Sequence, residues 1–348
     1  MNKKYKKITL APFCYSQLSI NEMLKIILIC IIPQMTMLAV TKSFDSIYLV
    51  CLVIFISICT ELLYSLILRL DIKISWATIL QGALIGLLIP SAYSLSIVAI
   101  ITFLVLFFEK VIFKHFAQSW LNPIVFTAIL LFFITPELYP SFMLMPETIQ
   151  YENIGTKLFS TNIIEISQFD AQISEFLNSL LNSTGIHIPE GYITLFIDSQ
   201  TTIPAFRFNA MTLLVSLILF STKTIDFIIP TIFIVVYAIL VKVFGLYPYA
   251  AIIGQGDILL ALLTSGTLFT AFFLITWFGT TPKTLVGKIV FAITAGIIAF
   301  LICGAGTSCI GMLFVVLLLN IFCTIILHIE AEIYEAKLQK VLADDVGH

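Results

Sequence analysis

Residues 262–288 read LLTSGTLFTAFFLITWFGTTPKTLVGK, and this stretch shows how the chain is built. An apolar run that contains Gly266 and several threonines stops at Gly279, and Pro282 and Lys283 follow before the next apolar run. Glycine and proline interrupt or end helices, and lysine beside an apolar run is typical of the water-exposed end of a membrane span. The stretch therefore predicts a membrane helix that is interrupted and that ends in a polar turn.

The composition of the whole chain agrees with a membrane location. Of its 348 residues, 60% are hydrophobic and 11% are charged, whereas soluble domains carry roughly 25% charged residues. Apolar runs of about 18 residues recur along the chain, which predicts an all-α polytopic membrane protein surrounded by the lipid bilayer. The net charge of −2 argues against nucleic acid as a partner, and the scattered cysteines have no spacing typical of a metal site.

The apolar runs and the charges predict a topology. With the N-terminus inside, all but four of the 18 Lys and Arg residues fall on the inner side, which predicts that both termini are cytoplasmic. The predicted parts are an N-terminal tail with five spans, an outer loop, five further spans and a cytoplasmic tail, at 1–139, 140–206, 207–330 and 331–348. The ten predicted spans lie at 24–41, 46–69, 76–92, 95–113, 121–139, 207–222, 226–244, 257–278, 285–303 and 309–329.

The predicted outer loop contains a segment with helical periodicity. Residues 162–181, NIIEISQFDAQISEFLNSLL, space their apolar side chains by three and four, which predicts an amphipathic helix lying on the membrane or on neighbouring spans. Asn162 and Glu165 have the spacing of a capping box at its start.

The loop divides the ten spans into two groups of five. Because five is odd, the two groups insert in opposite orientations, which predicts two inverted five-helix repeats. Segments three and eight then correspond, and both contain the glycines and proline that predict broken helices. Broken helices at matching positions indicate a central site in many transporters; the alternative is that glycine and proline are simply commoner in membrane helices.

Two stretches of the sequence resemble a known family, RnfD/NqrB. Its members are membrane subunits of the Rnf electron-transport complex and of the sodium-translocating NADH:quinone reductase. The stretch beginning LLTSGTLFTAFFLITWFGTTP keeps the family's spacing without a gap, and HFAQSWLNPIVFTAILLFFITP resembles the family's entry to span five. The resemblance covers roughly residues 46–330. Its matching positions include Asn122, Pro123, Thr276, Thr280, Gly287 and Lys288.

The resemblance implies a function, cofactors and partners. It implies a membrane protein that works with the other subunits of an Rnf-type complex in a bacterial cytoplasmic membrane and couples electron transfer to export of Na⁺ or H⁺. It also implies bound flavin, with FMN joined through a phosphoester to a threonine of the outer loop, and it brings riboflavin into consideration. The six matching residues are then candidates for cofactor binding, and Thr161 is the nearest counterpart of the flavin-bearing threonine.

The sequence departs from the family pattern at several of its functional positions. Trp277 and Phe278 replace an Asp-Pro pair, Ser75 lies where another acid is expected, and Phe206 replaces a glutamate. Leu158 and Phe159 precede Thr161 in place of Ser-Gly, which favours a capping or surface role for Thr161 and predicts a protein without covalent FMN.

One acid stands inside a predicted span and is assigned to the ion path. Glu61 lies in the middle of span two, where an ionisable group is costly unless it pairs or serves transport; the alternative is a hydrogen bond between helices. Three functions stay open at this point: a flavin-bearing subunit, a relative that acts as scaffold and ion path without its own FMN, and a channel or transporter for a small solute or vitamin.

Overall fold

The computed structural model describes residues 18–69, 74–114, 116–139, 169–181, 191–245, 256–304, 308 and 310–346. Helices lie at all ten predicted spans, and within the described residues no strand occurs. The all-α polytopic membrane class is therefore confirmed. The spans of the first half are α1 (Ile20–Val40), α2 (Phe44–Ile67), α3 (Trp76–Leu88), α4 (Leu95–Phe113) and α5 (Pro123–Ile134).

Within the described residues, two short α-helices precede the second set of spans. They are α6 (Asp170–Leu181) and α7 (Tyr192–Ile197). The spans that follow are α8 (Asn209–Ser221), α9 (Ile228–Phe244), the interrupted pair α10 (Ile258–Thr264) and α11 (Thr267–Phe269), α12 (Leu285–Cys303) and α13 (Gly311–Val346). Five helices of the described chain are long and apolar enough to cross a membrane by themselves: α1, α2, α4, α12 and α13.

Local sequence signals fix several of the helix starts. Ser19 and Glu22 form a capping box at the start of α1, with each side chain bonded to the other residue's backbone N–H. The Asn122 side chain caps α5, and Pro123 occupies its first turn, where a missing N–H costs nothing. Asp257 caps α10 through the N–H of Leu260. These caps lie at or near the boundaries that the apolar runs predict.

The two halves of the bundle share most of their packing partners. In the first half α2 packs on α3 and α4, α3 packs on α1 and α5, and α4 packs on α5. In the second half α9 packs on α10 and α12, α11 packs on α8, and α12 packs on α13. The halves meet where α1 contacts α8 and where α5 contacts α13. This matching supports two repeats, and their inverted orientation stays a prediction.

Segments three and eight differ from each other. The expected break in segment three lies at its end, because α3 is continuous from Trp76 to Leu88 and stops before Pro90. Gly82 and Gly86 do not break α3: a Cβ there would lie 2.8 Å from the Ile54 Cα and 2.7 Å from the Val50 Cα. The two glycines therefore let the backbones of α2 and α3 approach closely.

Segment eight is interrupted as predicted. Gly266 has φ +73° and separates α10 from α11, and residues Thr270–Leu274 then form a π-helical turn. The N–H of Ile275 donates to the carbonyl of Thr270 at 2.9 Å, the five-residue spacing of a π turn. All five residues of this turn are buried, so the irregular backbone lies inside the protein and away from lipid, as it must in a bilayer.

The helix of the outer loop is shorter in the described chain than its predicted range. Helix α6 begins at Asp170, and Asn162, Glu165 and the predicted first turns lie outside the described residues. The Asp170 carboxylate is fully buried and accepts bonds from the N–H groups of Gly191 and Thr194, which fixes α6 to α7. The apolar face stays exposed, with the side chains Phe169, Ile173, Phe176 and Leu180.

Charged contacts lie at the two ends of the bundle. At the predicted inner end, the Lys25 ammonium lies 5.3 Å from the centre of the Trp76 ring. At the predicted outer end, Arg207 pairs with Asp198 at 2.6 Å and donates to the Ser43 hydroxyl at 2.8 Å. We refer to these as the inner end and the outer end.

Candidate functional site

A polar cavity lies at the inner end of the first half. It measures about 170 Å³ and is enclosed by the inner ends of α2, α3 and α4, with Asn21 and Leu24 of α1 and Phe116 completing the wall. We call it the inner pocket. Its polar and charged lining from α2, α3, α4 and their flanks consists of Glu61, Ser75, Thr78, Gln81, Glu109, Lys110 and Lys114.

Glu61 contributes one carboxylate to the inner pocket. Its Oε2 accepts from the Ser75 N–H at 3.1 Å, and its Oε1 lies 3.7 Å from the Lys110 ammonium. The side chain is 12% exposed. The prediction that Glu61 lies mid-span is wrong: α2 ends at Ile67, so Glu61 lies less than two turns from its inner end, level with the start of α3. Its negative charge therefore meets a cation and a helix N-terminus.

Glu109 contributes the second carboxylate, which the sequence analysis missed. Glu109 is only 6% exposed, and the buried Gln81 amide Nε2 donates to its two oxygens at 2.9 and 3.2 Å. In the sequence Glu109 precedes Lys110 at the end of an apolar run and looks like one half of an interfacial charge pair. One signal could have identified it: Glu109 lies a full turn before the end of α4 at Phe113, and so inside the span.

Lys110 supplies the cation of the inner pocket. Its ammonium lies near the Glu61 carboxylate and donates to the Thr78 hydroxyl at 3.4 Å, while its side chain is 16% exposed. The Ser75 and Thr78 hydroxyls are 3.0 Å apart. A connected set of polar groups thus runs across the pocket from α2 to α4, and the Glu109–Gln81 pair lies on its deeper side.

The residues matched to the family occupy three separate places, and the first is the start of α5. The Asn122 side chain is fully buried; its Oδ1 caps α5 through the Ile124 N–H, and its Nδ2 donates to the Leu274 carbonyl at 3.3 Å. Asn122 therefore joins the first half of the bundle to the π turn of segment eight. Pro123 is buried beside it at the first helical position.

The second place is the end of segment eight. The Thr276 hydroxyl donates to the Phe272 carbonyl at 2.7 Å, and the Thr280 hydroxyl donates to the Trp277 carbonyl at 3.0 Å. Trp277, which stands where the family pattern has an acid, is 2% exposed, and its Nε1 has no hydrogen-bond partner among the described residues. The neighbouring Phe278 packs edge-on against Phe116, so aromatic side chains fill this region.

The third place is the polar turn before α12. The Glu330 carboxylate accepts from the N–H groups of Lys283 and Thr284 at 3.0 and 3.1 Å, which ties the turn to α13. A Cβ on Gly287 would lie 1.9 Å from the Glu330 Oε1, so glycine is required for this approach. Lys288 pairs with Asp226 at 2.6 Å. These contacts explain the polar break in the sequence as an inner turn tied to α13, with the start of α12 paired to the segment before α9.

The outer end contains a second cavity of about 280 Å³ between the α1–α2 turn, the end of α3 and the segment before α8. Its only lining cation within the described residues is Arg207, which already pairs with Asp198. Nearby, Tyr192 of α7 donates to the Asp257 carboxylate, and burial together with this carboxylate raises the pKa of the Tyr192 hydroxyl. Thr161, the candidate for flavin attachment, lies outside the described residues.

These features define a polytopic membrane protein with an interrupted helix in one half and a buried charged pocket in the other, an arrangement found in proteins that move ions or solutes. The chain is matched from residue 7 to residue 334 by the model of the NQR2, RnfD, RnfE family, and it belongs to that family. No curated protein matches it significantly.

Proposed function

We propose that this protein is the membrane subunit of an Rnf- or Nqr-type complex in which electron transfer drives the translocation of Na⁺ or H⁺. Family membership supports the complex. The observation that carries ion translocation is the inner pocket, where two carboxylates and two ammonium groups, one of them exposed, line a cavity among membrane helices. Ionisable groups within membrane helices are costly and mark ion pathways. Glu61 belongs to this path, at its inner opening.

We further propose that the protein works without its own covalent FMN. The support comes from the sequence, because the bulky Leu158 and Phe159 precede Thr161 where the family has small residues that let a phosphate approach. The lost acids support the same view, since Trp277 and Phe206 fill their positions with buried aromatic rings. Electron carriers then belong to the other subunits, and this chain supplies the ion path and the scaffold.

The flavin part is tested by mass spectrometry of the peptide that contains Thr161, after expression beside a competent flavin transferase. The unmodified peptide is expected. An adduct of FMN minus water on Thr161 would contradict the proposal and would assign this protein a direct role in electron transfer. In-gel fluorescence of the denatured protein gives an independent reading, and a flavin-bearing protein of a related complex serves as the positive control.

The proposed location is the bacterial cytoplasmic membrane with both termini in the cytoplasm. The support is the distribution of Lys and Arg, together with the grouping of Lys25, Lys110, Lys283 and Lys288 at one end of the bundle. Single cysteines introduced at Glu152 and at Lys340 test it. A membrane-impermeant maleimide applied to intact cells should label the first and spare the second; the reverse pattern would contradict the topology.

The coupling is tested in inverted membrane vesicles that contain the whole complex. Addition of the electron donor should drive cation uptake, and vesicles made without this chain should lose that uptake. If uptake continues unchanged without the chain, the proposal is wrong. Uptake of a labelled solute by the isolated protein without any electron donor would instead favour the channel or transporter function.

A further inference from the structure

The two carboxylates of the inner pocket have different surroundings. Glu61 faces the Lys110 ammonium and accepts the Ser75 N–H at the start of α3. One contact supplies a positive charge and the other the positive end of a helix. Glu109 is more deeply buried, and within the described residues its direct hydrogen bonds come only from the neutral Gln81 amide. Its ionised form is therefore less well compensated than that of Glu61.

The charges of the pocket do not balance when both carboxylates are ionised. The titratable side chains that line it within the described residues are Glu61, Glu109, Lys110 and Lys114. Lys114 is exposed at the end of α4 and its charge is solvated. Lys110 alone then faces two buried carboxylates, which leaves one negative charge without a partner. A buried charge of this kind is strongly unfavourable unless it is neutralised.

The Gln81 side chain suits a carboxyl group that changes its state. An amide carries two N–H donors at one position and a carbonyl acceptor at the other. Gln81 donates to the carboxylate in the described arrangement, and a half-turn of the same amide would let its oxygen accept from a protonated carboxyl or coordinate a small cation. The Thr102 hydroxyl, fully buried and without a partner among the described residues, lies two helical turns deeper on the same side of α4.

We infer that Glu109 is the group of the inner pocket that binds and releases the exchangeable monovalent cation, a proton or Na⁺, while Glu61 holds Lys110. This inference deepens the proposed function and rests on it for its biological role. The exchange involves no electron transfer: the Glu109 carboxylate binds one cation from the pocket and later releases one cation. Glu61 acts as a positioning residue for Lys110.

The position of Glu109 also decides how it can be probed. Besides the inner pocket, Glu109 lines an apolar groove of about 300 Å³ between α4 and the segment leading into α5, with Val105, Phe108, Leu121 and Phe126 among its walls. A lipophilic carbodiimide can approach through this groove, and it reacts with protonated carboxyl groups to give a stable acylurea. Glu61 lines the polar pocket and not the groove.

The experiment treats the purified full-length protein in detergent with dicyclohexylcarbodiimide and maps the adduct by mass spectrometry. Glu109 should carry the adduct, and its rate of formation should fall as the pH is raised. Glu109→Gln should lose the adduct, whereas Glu61→Gln should keep it at Glu109. Lys110→Gln should speed the reaction, because removal of the ammonium favours the protonated carboxyl. Size-exclusion profiles show that each variant is folded.

Three results would overturn the inference: an adduct on Glu61 in place of Glu109, no adduct on either residue in folded protein, or a rate at Glu109 that does not change with pH. Addition of Na⁺ identifies the cation. A slower reaction means that Na⁺ competes for the Glu109 carboxylate, and an unchanged rate means that the site binds protons. The readout needs no electron donor and no other subunit. If Glu109 behaves as expected while the assembled complex transports no ion, the proposed function fails and the cation site stands.

Discussion

The inner pocket of the first half and the interrupted segment of the second half are two polar regions of one bundle, and they are built in opposite ways. The pocket places charged side chains between the continuous helices α2, α3 and α4. The interrupted segment, residues 258–278, contains no charged side chain and breaks its backbone at Gly266. One region is polar through its side chains and the other through its backbone.

The difference shows how each kind of polarity is accommodated inside a membrane protein. In the interrupted segment the hydroxyls of Thr264 and Ser265 donate to carbonyls one turn earlier, so these two are satisfied locally, whereas the Thr270 hydroxyl and the Trp277 Nε1 have no partner among the described residues. In the inner pocket the partners come from different helices, as with Glu61 and Ser75 or Gln81 and Glu109. A locally satisfied break suits a fixed support, whereas partners on separate helices can exchange when the helices or the charges change.

The largest effect is expected from Glu61→Lys. It places a second ammonium beside Lys110 and removes the acceptor of the Ser75 N–H. Removing one partner of a buried ion pair costs up to about 3–5 kcal/mol, and the like charge adds to this. Fluorescence-detected size exclusion should show almost no folded protein. Glu332→Lys, at an exposed position of α13, is the control and should leave the profile unchanged.

A smaller but clear loss of stability is expected from Gly266→Ala. The new Cβ would lie 2.4 Å from the Phe206 ring, at a backbone φ of +73°. Overpacking of this kind costs about 1–3 kcal/mol, and the melting temperature of the purified protein should fall accordingly. The double variant Phe206→Ala/Gly266→Ala removes the clash, so its loss should be less than the sum of the two single losses. Strict additivity would mean that the contact with Phe206 is not the cause.

Glu61→Gln should separate function from folding. The amide keeps an oxygen for the Ser75 N–H but cannot hold Lys110 by charge. The protein should fold with a melting temperature close to that of the wild type, and electron-driven cation uptake by the whole complex should fall several-fold. Full uptake in this variant would mean that Glu61 serves only packing and does not belong to the ion path.

The smallest effect is expected at Lys288, the matched family position in the second half. Its ion pair with Asp226 is about a quarter to a third exposed, and pairs of this kind contribute roughly 0.2–1 kcal/mol. Lys288→Gln should therefore shift the melting temperature only slightly and leave cation uptake unchanged. Asp226→Asn is the matched control and should give the same small shift. A large loss of uptake in the lysine variant alone would assign Lys288 a role beyond this pair.

The spans could be predicted from the sequence because each is a long apolar run with a polar boundary. The break at Gly266 was also predictable, since a glycine and hydroxyl residues interrupt the run. The π turn was not, because nothing in Thr270–Leu274 distinguishes it from an ordinary helix. Glu109 was missed for a different reason: its burial depends on Gln81 of another helix, and single-residue patterns do not reveal such pairs.

The residues matched to the family show the same limit. Asn122 and Gly287 were identified by position, but the structure gives each a partner far along the chain, the Leu274 carbonyl and Glu330. Glu61 is an intermediate case. The sequence identified the residue as a candidate but placed it too deep in the span, because the apolar run continues past the level of the inner pocket.

Helix α13 gives the molecule a mechanical property that follows from its length. It runs without interruption for 36 residues from Gly311 to Val346, which corresponds to about 54 Å at 1.5 Å per residue, whereas the hydrocarbon core of a bilayer is about 30 Å thick. The helix is therefore longer than this core is thick, and Glu330, near its middle, ties it to the turn before α12. A tilt of α13 about this contact displaces the residues near Val346 in proportion to their distance from Glu330.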